Sequence, residues 1–304
     1  MNRTVQKTFV TGDKWLYYKI YTGSKTADII LISSIKPLVE FLLKKKIIDK
    51  WFFIRYADPQ PHLRLRFYCN EVNKINEVIT ILGPVFKELL KQDLIWKVTT
   101  DTYQRELERY GKNTIELSEN IFFLNSSLIL NILMILENDE ELRWIFSLRE
   151  IDNLLTNFKY SNYQKFQLLE FLKTSMAFEF GATKDLNKQL DLKYRKYRYK
   201  IENILNSNGK EIEQFEDINY YINCFNENSK ETIDTILSYE ESKTLEISLN
   251  NLLSSYIHMS MVRLFKSKNR MHEMVIYDFL FRYYKSKKAI DNIENNKKIH
   301  ELNM

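Results

Sequence analysis

The run His62-Leu-Arg-Leu-Arg-Phe-Tyr68 alternates polar and apolar residues at each step, which is the period of a strand with one buried face. Wound as a helix, the same run would scatter Leu63, Leu65 and Phe67 around the circumference. Trp51-Phe-Phe-Ile-Arg-Tyr56, just before it, has the aromatic and β-branched content of a second strand. Ala57-Asp-Pro-Gln-Pro61 joins the two as a turn, because Pro59 and Pro61 fix φ and carry no N–H donor. A hairpin with a cationic face is therefore the first constraint on the fold.

Its surroundings extend the pattern. Trp15-Leu-Tyr-Tyr-Lys-Ile-Tyr21 predicts an earlier strand. Ser33, Ser34 and Pro37 supply helix-start chemistry ahead of Leu38, Phe41, Leu42 and Ile47 at helical spacing. A helix over 72–91 is expected next, with Ile75, Val78, Ile79, Leu82, Phe86 and Leu90 on its apolar stripe and Gly83-Pro84 as a kink or break. Leu94 to Thr100 gives one more strand. The order β-α-β-β-α-β predicts an α+β fold with a ferredoxin-like four-stranded sheet over residues 1–112.

Beyond residue 113 the periodicity is helical almost throughout, so residues 113–304 read as a helical region packed on the sheet, the two forming one functional domain. Six Gly and four Pro fit long helices better than a loop-rich all-β fold. The tail from Lys285 is polar and expected to fray. The apolar stretches 29–32 and 124–136 read as too short or too interrupted to span a bilayer. The N-terminus lacks an apolar run of signal-peptide length, so a cytoplasmic location is expected. Cys69 and Cys224 stand far apart, and the four His and the carboxylates lack metal-ligand spacing, which argues against a disulfide framework and a metal site.

Three segments carry residues suited to chemistry. His62, Arg64 and Arg66 line one face of their strand, and Arg55 is expected to join them across the hairpin. Neighbouring cations repel unless anions answer them, and Arg suits bidentate carboxylate or phosphate binding. A solvated strand face paired with acids from a covering helix would read the same way. Tyr103-Gln-Arg-Glu-Leu-Glu-Arg-Tyr-Gly111 is densely charged, and a capped, salt-bridged turn would also give those letters. His258 lies in the apolar run 254–263, where a His is more often a satisfied interior residue than a catalyst. His272 and His300 have no partner by spacing.

Taken together and in this order, the segments 51–67, Glu106-Leu-Glu-Arg-Tyr-Gly111 and His258-Met with Arg263-Leu264 resemble the C-terminal domain of class I lanthipeptide dehydratases, which also occurs alone as thiopeptide-type bacteriocin biosynthesis proteins. The resemblance covers about residues 15–284. It implies removal of glutamate from glutamylated Ser or Thr of a ribosomal precursor peptide, giving dehydroalanine or dehydrobutyrine. Catalysis would fall on Arg66, Glu106, Arg109 and His258. Substrate binding would fall on Arg55, His62, Arg64, Arg105 and Arg263, with Arg64 and Arg66 left open as to which is essential. The resemblance implies no cofactor. It implies a separate glutamyl-tRNA-dependent glutamylating protein and the glutamylated peptide as partners, and leaves self-association into a homo-oligomer open. Two departures stand out: Lys112 where the family commonly has a second Gly, and Val262 where it commonly has Asn.

Three alternatives remain on sequence grounds. One is a [4+2] pyridine-forming cyclase of thiopeptide biosynthesis, and another is a non-catalytic scaffold gripping the precursor peptide. A direct nucleic-acid binder is disfavoured, because the sheet lacks the Gly-flanked aromatic pattern of RNA-binding strands and the net charge of 45 − 40 = +5 is modest for 304 residues.

Overall fold

The computed structural model describes residues 5–181 and 183–302, with side chains to residue 289. Strands β1 (Thr8–Phe9), β2 (Trp15–Tyr21), β3 (Lys50–Ala57), β4 (Pro61–Tyr68), β5 (Lys97–Thr100) and β6 (Tyr103–Gln104) alternate with helices α1 (Thr26–Ile30), α2 (Lys36–Lys44), α3 (Ile75–Lys91) and α4 (Leu107–Tyr110). Seven longer helices follow: α5 (Ile115–Leu136), α6 (Glu140–Asn157), α7 (Asn162–Glu179), α8 (Lys184–Ser207), α9 (Phe215–Glu241), α10 (Leu249–Leu264) and α11 (Asn269–Leu302). The class is α+β. The chain divides into two compact units, Met1–Glu137 with Asn223–Ser267, and Asn138–Ile222 with Lys268–Met304. The helices α5 and α10 thus belong with the sheet, a different partition from 1–112 and 113–304.

In the first unit the sheet order is β3-β4-β2-β5, antiparallel at each step. The expected hairpin forms, with Ala57 opposite Pro61 and Phe53 opposite Leu65. Leu16, Tyr18 and Ile20 of β2, Leu63, Leu65 and Phe67 of β4, and Trp51 and Phe53 of β3 are buried on one face. There Tyr18 meets Phe86 of α3 edge to face at 5.1 Å.

The register corrects one expectation. Arg55 lies opposite Leu63, whereas Arg64 faces Ile54 and Arg66 faces Phe52. Directly opposed residues share a face, so Arg55 points to the apolar side, away from Arg64 and Arg66. Its charge is met there by Asp28, 2.5 Å from Nη2.

The helix predicted to begin near Ser33 starts instead at Thr26 and runs to Lys44 through a wider, π-type turn at Leu31–Ile35. Pro37 would clash with the carbonyl four residues earlier in a regular helix, and the wider turn gives it room. Ser33 caps nothing: its hydroxyl donates back to the Ile29 carbonyl at 2.7 Å. Pro84 sits within an unbroken α3, whose stripe buries Leu89 while Ile79 and Leu90 are exposed.

Helix α5, at 22 residues, is by length and composition long and apolar enough to cross a membrane, a test that the buried core helix of a soluble protein also passes. It serves as the central helix of the first unit, with Ser118, Glu119, Asn125 and Ser126 buried along it.

In the second unit α6, α7 and α11 bury Phe146, Ile151, Leu155, Leu169 and Leu280. Asp139 caps α6 through the N–H groups of Glu141 and Leu142 at 2.8 and 2.9 Å. Ser161 and Gln164 form a capping box at the start of α7. The α11 backbone continues through the polar tail to Leu302; the side chain of His300 lies outside the described residues.

Candidate active site

The face of the sheet opposite the apolar core carries Trp15, Tyr17, Lys19 and Tyr21 from β2, Phe52, Ile54 and Tyr56 from β3, and His62, Arg64 and Arg66 from β4, as the register requires. Near Arg66 this face is roofed. Tyr103 of β6 meets Trp15 at 5.3 Å and Phe52 at 6.0 Å, and Phe122 of α5 meets Phe52 at 5.4 Å.

Beneath that roof Arg66 is only 7% exposed. Its guanidinium carbon lies 4.2 Å from the Tyr17 ring centroid, 4.9 Å from Tyr103 and 5.1 Å from Phe52. Nε and Nη1 are buried and have no hydrogen-bond partner. Burial pulls the pKa of Arg66 down from its ordinary value, opposed by Tyr17 and Tyr103, yet a guanidinium stays charged at any working pH. Leaving such donors unpaired costs about 1–3 kcal/mol each, so an acceptor supplied from outside would gain strongly.

The guanidinium borders a cavity of about 40 Å³, lined also by Glu106, Tyr110, Ile115 and Met259. A water occupies about 30 Å³ of liquid. The space beside the guanidinium therefore admits at least a small polar group such as a carboxyl.

Of the catalytic candidates, Arg66 and Glu106 line this cavity. Arg109 stands at its rim, with Nη1 3.2 Å from the Glu106 carboxylate; the two side chains are 44% and 63% exposed, so their attraction is screened. Glu106 also starts α4, its carbonyl accepting from the N–H groups of Arg109 and Tyr110. His258 sits half-buried on α10, one residue before the lining Met259.

Tyr110 is a lining group not singled out from sequence. Burial and the Glu106 charge push its hydroxyl up to about 12, against Arg109, so it stays a donor at neutral pH. Tyr17, Phe52 and Phe122 were also missed. Alternation within 15–21 and 51–56 gave each a face, but only the register between strands tells which face meets Arg66.

The remaining candidates are placed as follows. Arg64 is half-buried on the same face as Arg66, its guanidinium carbon 3.5 Å from the Tyr56 ring centroid and its Nε donating to His62 Nε2 at 3.2 Å. His62 is buried beside it. Arg105 is buried in a two-pronged pair with Glu119, at 2.7 and 2.6 Å, and reaches the Gln6 carbonyl at 3.0 Å. Arg263 donates from Nε to the Phe53 carbonyl at 2.9 Å and from Nη1 to Asn125 at 3.0 Å, while its own carbonyl accepts from Arg55 Nε at 2.8 Å. Arg55, Arg105 and Arg263 thus tie elements together within the first unit. Of the two departures, Lys112 donates its backbone N–H to Glu246 at 2.6 Å, and Val262 is half-buried on α10. No group of three or more His, Cys, Asp and Glu with metal-holding geometry occurs among the described residues.

Comparison with known proteins bears on this arrangement. Residues 15–284 match the family described as lantibiotic biosynthesis dehydratase, C-terminal. Nisin biosynthesis protein NisB of Lactococcus lactis subsp. lactis is 31% identical over 128 residues, 41% of this chain and 12% of NisB. Subtilin biosynthesis protein SpaB of Bacillus subtilis is 30% identical over 122 residues, 38% of this chain and 11% of SpaB. The matched part is thus about an eighth of either relative. Among solved structures, the tRNA-dependent lantibiotic dehydratase MibB from Microbispora sp. 107891 shares the fold at a TM-score of 0.74 with 19% identity, over 95% of this chain and 29% of that one. TsrL follows at 0.65 and 12% identity over 90% and 95%. The pyridine synthase TbtD from thiomuracin biosynthesis follows at 0.58 and 12% identity over 90% and 98%.

Proposed function

The chain belongs to the lantibiotic biosynthesis dehydratase C-terminal family, and from that premise we propose that it eliminates glutamate from glutamylated Ser or Thr of a precursor peptide. The observation that carries this reading is Arg66, a buried cation with two unpaired N–H donors beside a small cavity that Glu106 and Tyr110 also line. β-Elimination needs such a group. A base removes the α-proton of the modified residue, the electron pair forms the Cα=Cβ bond, and the Cβ–O bond breaks to release glutamate as a carboxylate. Negative charge grows on the departing carboxyl, and fixed donors aimed where charge develops lower that barrier. Carboxylate leaves far more readily than hydroxide because its conjugate acid has a pKa near 4, about 4.3 for a glutamate side chain.

Arg66 is assigned to the departing carboxyl. Glu106 and Arg109, paired at the rim, hold the glutamyl group or orient one another. His258 is assigned to the α-proton, since an imidazole can both take and give a proton near neutrality. Arg55, Arg105 and Arg263, engaged within the first unit, are assigned to holding these groups in place. Glutamylation is assigned to a separate glutamyl-tRNA-dependent protein. The β-α-β-β-α-β order and the sheet order β3-β4-β2-β5 further support reading the sheet half as ferredoxin-like.

Mass spectrometry of a peptide carrying one glutamyl-Ser ester, incubated with the protein alone, tests the proposal. Loss of glutamic acid is expected, slowed at least about 100-fold in Arg66→Ala and not restored by Arg66→Lys, whose ammonium lacks the planar fork. An ester left intact by folded protein would sink it. A second reading is pyridine formation, since the pyridine synthase TbtD shares this fold over 90% of this chain. Conversion of a bis-dehydroalanine peptide, with the glutamyl ester untouched, would select that reading.

A further inference from the structure

The two unpaired donors of Arg66 can answer one carboxyl group, yet a glutamyl ester carries two, the esterified one and a free one. The second requires another cation on the same face. Arg64 stands two residues from Arg66 on the same side of β4, about 7 Å along the strand. No carboxylate pairs with Arg64 among the described residues, and Asp101, which feels the Arg64 charge, is taken by Lys19.

Arg64 is nevertheless held. Its guanidinium carbon lies 3.5 Å over the Tyr56 ring, and Nε is occupied by His62 Nε2. The edge left to a ligand is therefore the Nη1/Nη2 pair, two parallel donors that match a carboxylate.

The bond from Arg64 sets a requirement on His62. Its Nδ1 lies 2.9 Å from the Gln60 carbonyl, and a carbonyl only accepts, so Nδ1 carries the hydrogen. Nε2 then has a free lone pair, provided that the ring is neutral. His62 is 4% exposed, packed beside Tyr21 at 5.0 Å and Tyr56 at 5.7 Å. Burial holds its pKa below the usual range; Arg64 and Lys19 push the same way, and the Gln60 bond and Asp58 oppose them. The Gln60 side chain is itself anchored, accepting from Trp96 Nε1 at 3.2 Å.

We propose that His62 is a positioning residue whose neutral imidazole fixes Arg64 on Tyr56 as a preformed carboxylate subsite next to the Arg66 cavity. The proposal rests on the elimination reading for the identity of the peptide. The shared chemistry is a carboxylate, supplied either by the free carboxyl of the glutamyl group or by an acidic side chain of the peptide.

Fluorescence anisotropy with a labelled peptide tests this, the glutamyl group being joined through an amide to a diaminopropionate residue so that it binds without eliminating. Arg64→Ala and His62→Leu are each expected to weaken binding about tenfold, the value of one charge-assisted contact. The double variant should be no weaker than either single one. His62→Gln, which restores an acceptor for Arg64, should bind within about twofold of wild type. Changing the free glutamyl carboxyl to a carboxamide should cost wild type about the same tenfold and make binding indifferent to Arg64→Ala. If the carboxamide peptide stays sensitive to Arg64→Ala, and replacing its acidic neighbours abolishes that sensitivity, the subsite stands with the peptide's own acid as its ligand. Additive losses from His62→Leu and Arg64→Ala, unchanged affinity in His62→Leu, or a His62→Gln as weak as His62→Leu would each overturn the proposal. Because the probe is inert, a chain that fails to eliminate glutamate can still pass or fail this test.

Discussion

At the scale of single residues, Arg66 sets two free energies against each other. Three aromatic rings lie within cation–π reach, and each is worth about 0.5–2 kcal/mol. Against that stand two buried unpaired N–H groups at about 1–3 kcal/mol each and a desolvation cost of several kcal/mol for the charge. The costs win on these magnitudes, so the empty site is held at the expense of stability, as functional sites commonly are. Arg66→Met keeps the apolar stem among Tyr17, Phe52 and Tyr103 and removes the charge. It is expected to raise the unfolding free energy by about 1–3 kcal/mol, read from the midpoint of urea denaturation, while abolishing elimination. A variant less stable than wild type would mean that the aromatic cage outweighs desolvation and that Arg66 is held mainly as packing.

At the scale of elements, the site depends on how α10 meets the sheet, since α10 carries His258 and Met259 while β4 carries Arg66. Strand β3 is the sheet's edge. At Phe53 its unpaired groups are answered by side chains: Ser126 of α5 accepts from the N–H at 3.2 Å, and Arg263 of α10 donates to the carbonyl. Arg55 closes the loop by donating to the Arg263 carbonyl. Ser126→Ala leaves the Phe53 N–H buried and unpaired, for an expected loss of about 1–3 kcal/mol. Arg263→Lys loses the fork that serves Phe53 and Asn125 together, and should lower the elimination rate more than it lowers stability. Thermal melting beside the mass-spectrometric assay checks both, and equal activity per folded molecule in Arg263→Lys would remove the pin from the mechanism. None of this was legible from the chain alone. Alternation found β4, and aromatic and β-branched content β2 and β3, almost to the residue, and helical spacing found the helical run beyond residue 113, because each pattern is local. The side of the hairpin taken by Arg55 depends on register, and the partners of Arg105 and Arg263 depend on helices distant in sequence. The motifs therefore named the right segments but could not separate Arg66, which faces the cavity, from the arginines that hold the first unit together.

At the scale of the whole molecule, the candidate site residues His62, Arg64, Arg66, Glu106, Arg109 and His258 all fall in the first unit. The second unit is built around a different kind of polar core. Lys165 Nζ lies 2.5 Å from Asp152 Oδ1 and 2.7 Å from Thr156 Oγ1, and the Tyr284 hydroxyl also donates to Asp152. Burial and the Asp152 charge hold the Tyr284 hydroxyl protonated far above its ordinary range. These groups answer one another, unlike Arg66, so the cluster reads as structure joining α6, α7 and α11. Asp152→Ala leaves the buried Lys165 cation without its carboxylate, with the Thr156 and Tyr284 hydroxyls beside it, and removing one partner of a buried pair costs about 3–5 kcal/mol. If the two compact units also unfold as separate cooperative bodies, that loss stays within the second. Hydrogen exchange read by mass spectrometry is then expected to show faster exchange in α6, α7 and α11 of Asp152→Ala, with β2, β3, β4 and α5 protected as in wild type. The inert glutamyl peptide should bind the variant as it binds wild type. Uniformly faster exchange through the sheet as well would mean that both units share one folding transition, and the second unit would then contribute to the site through stability alone.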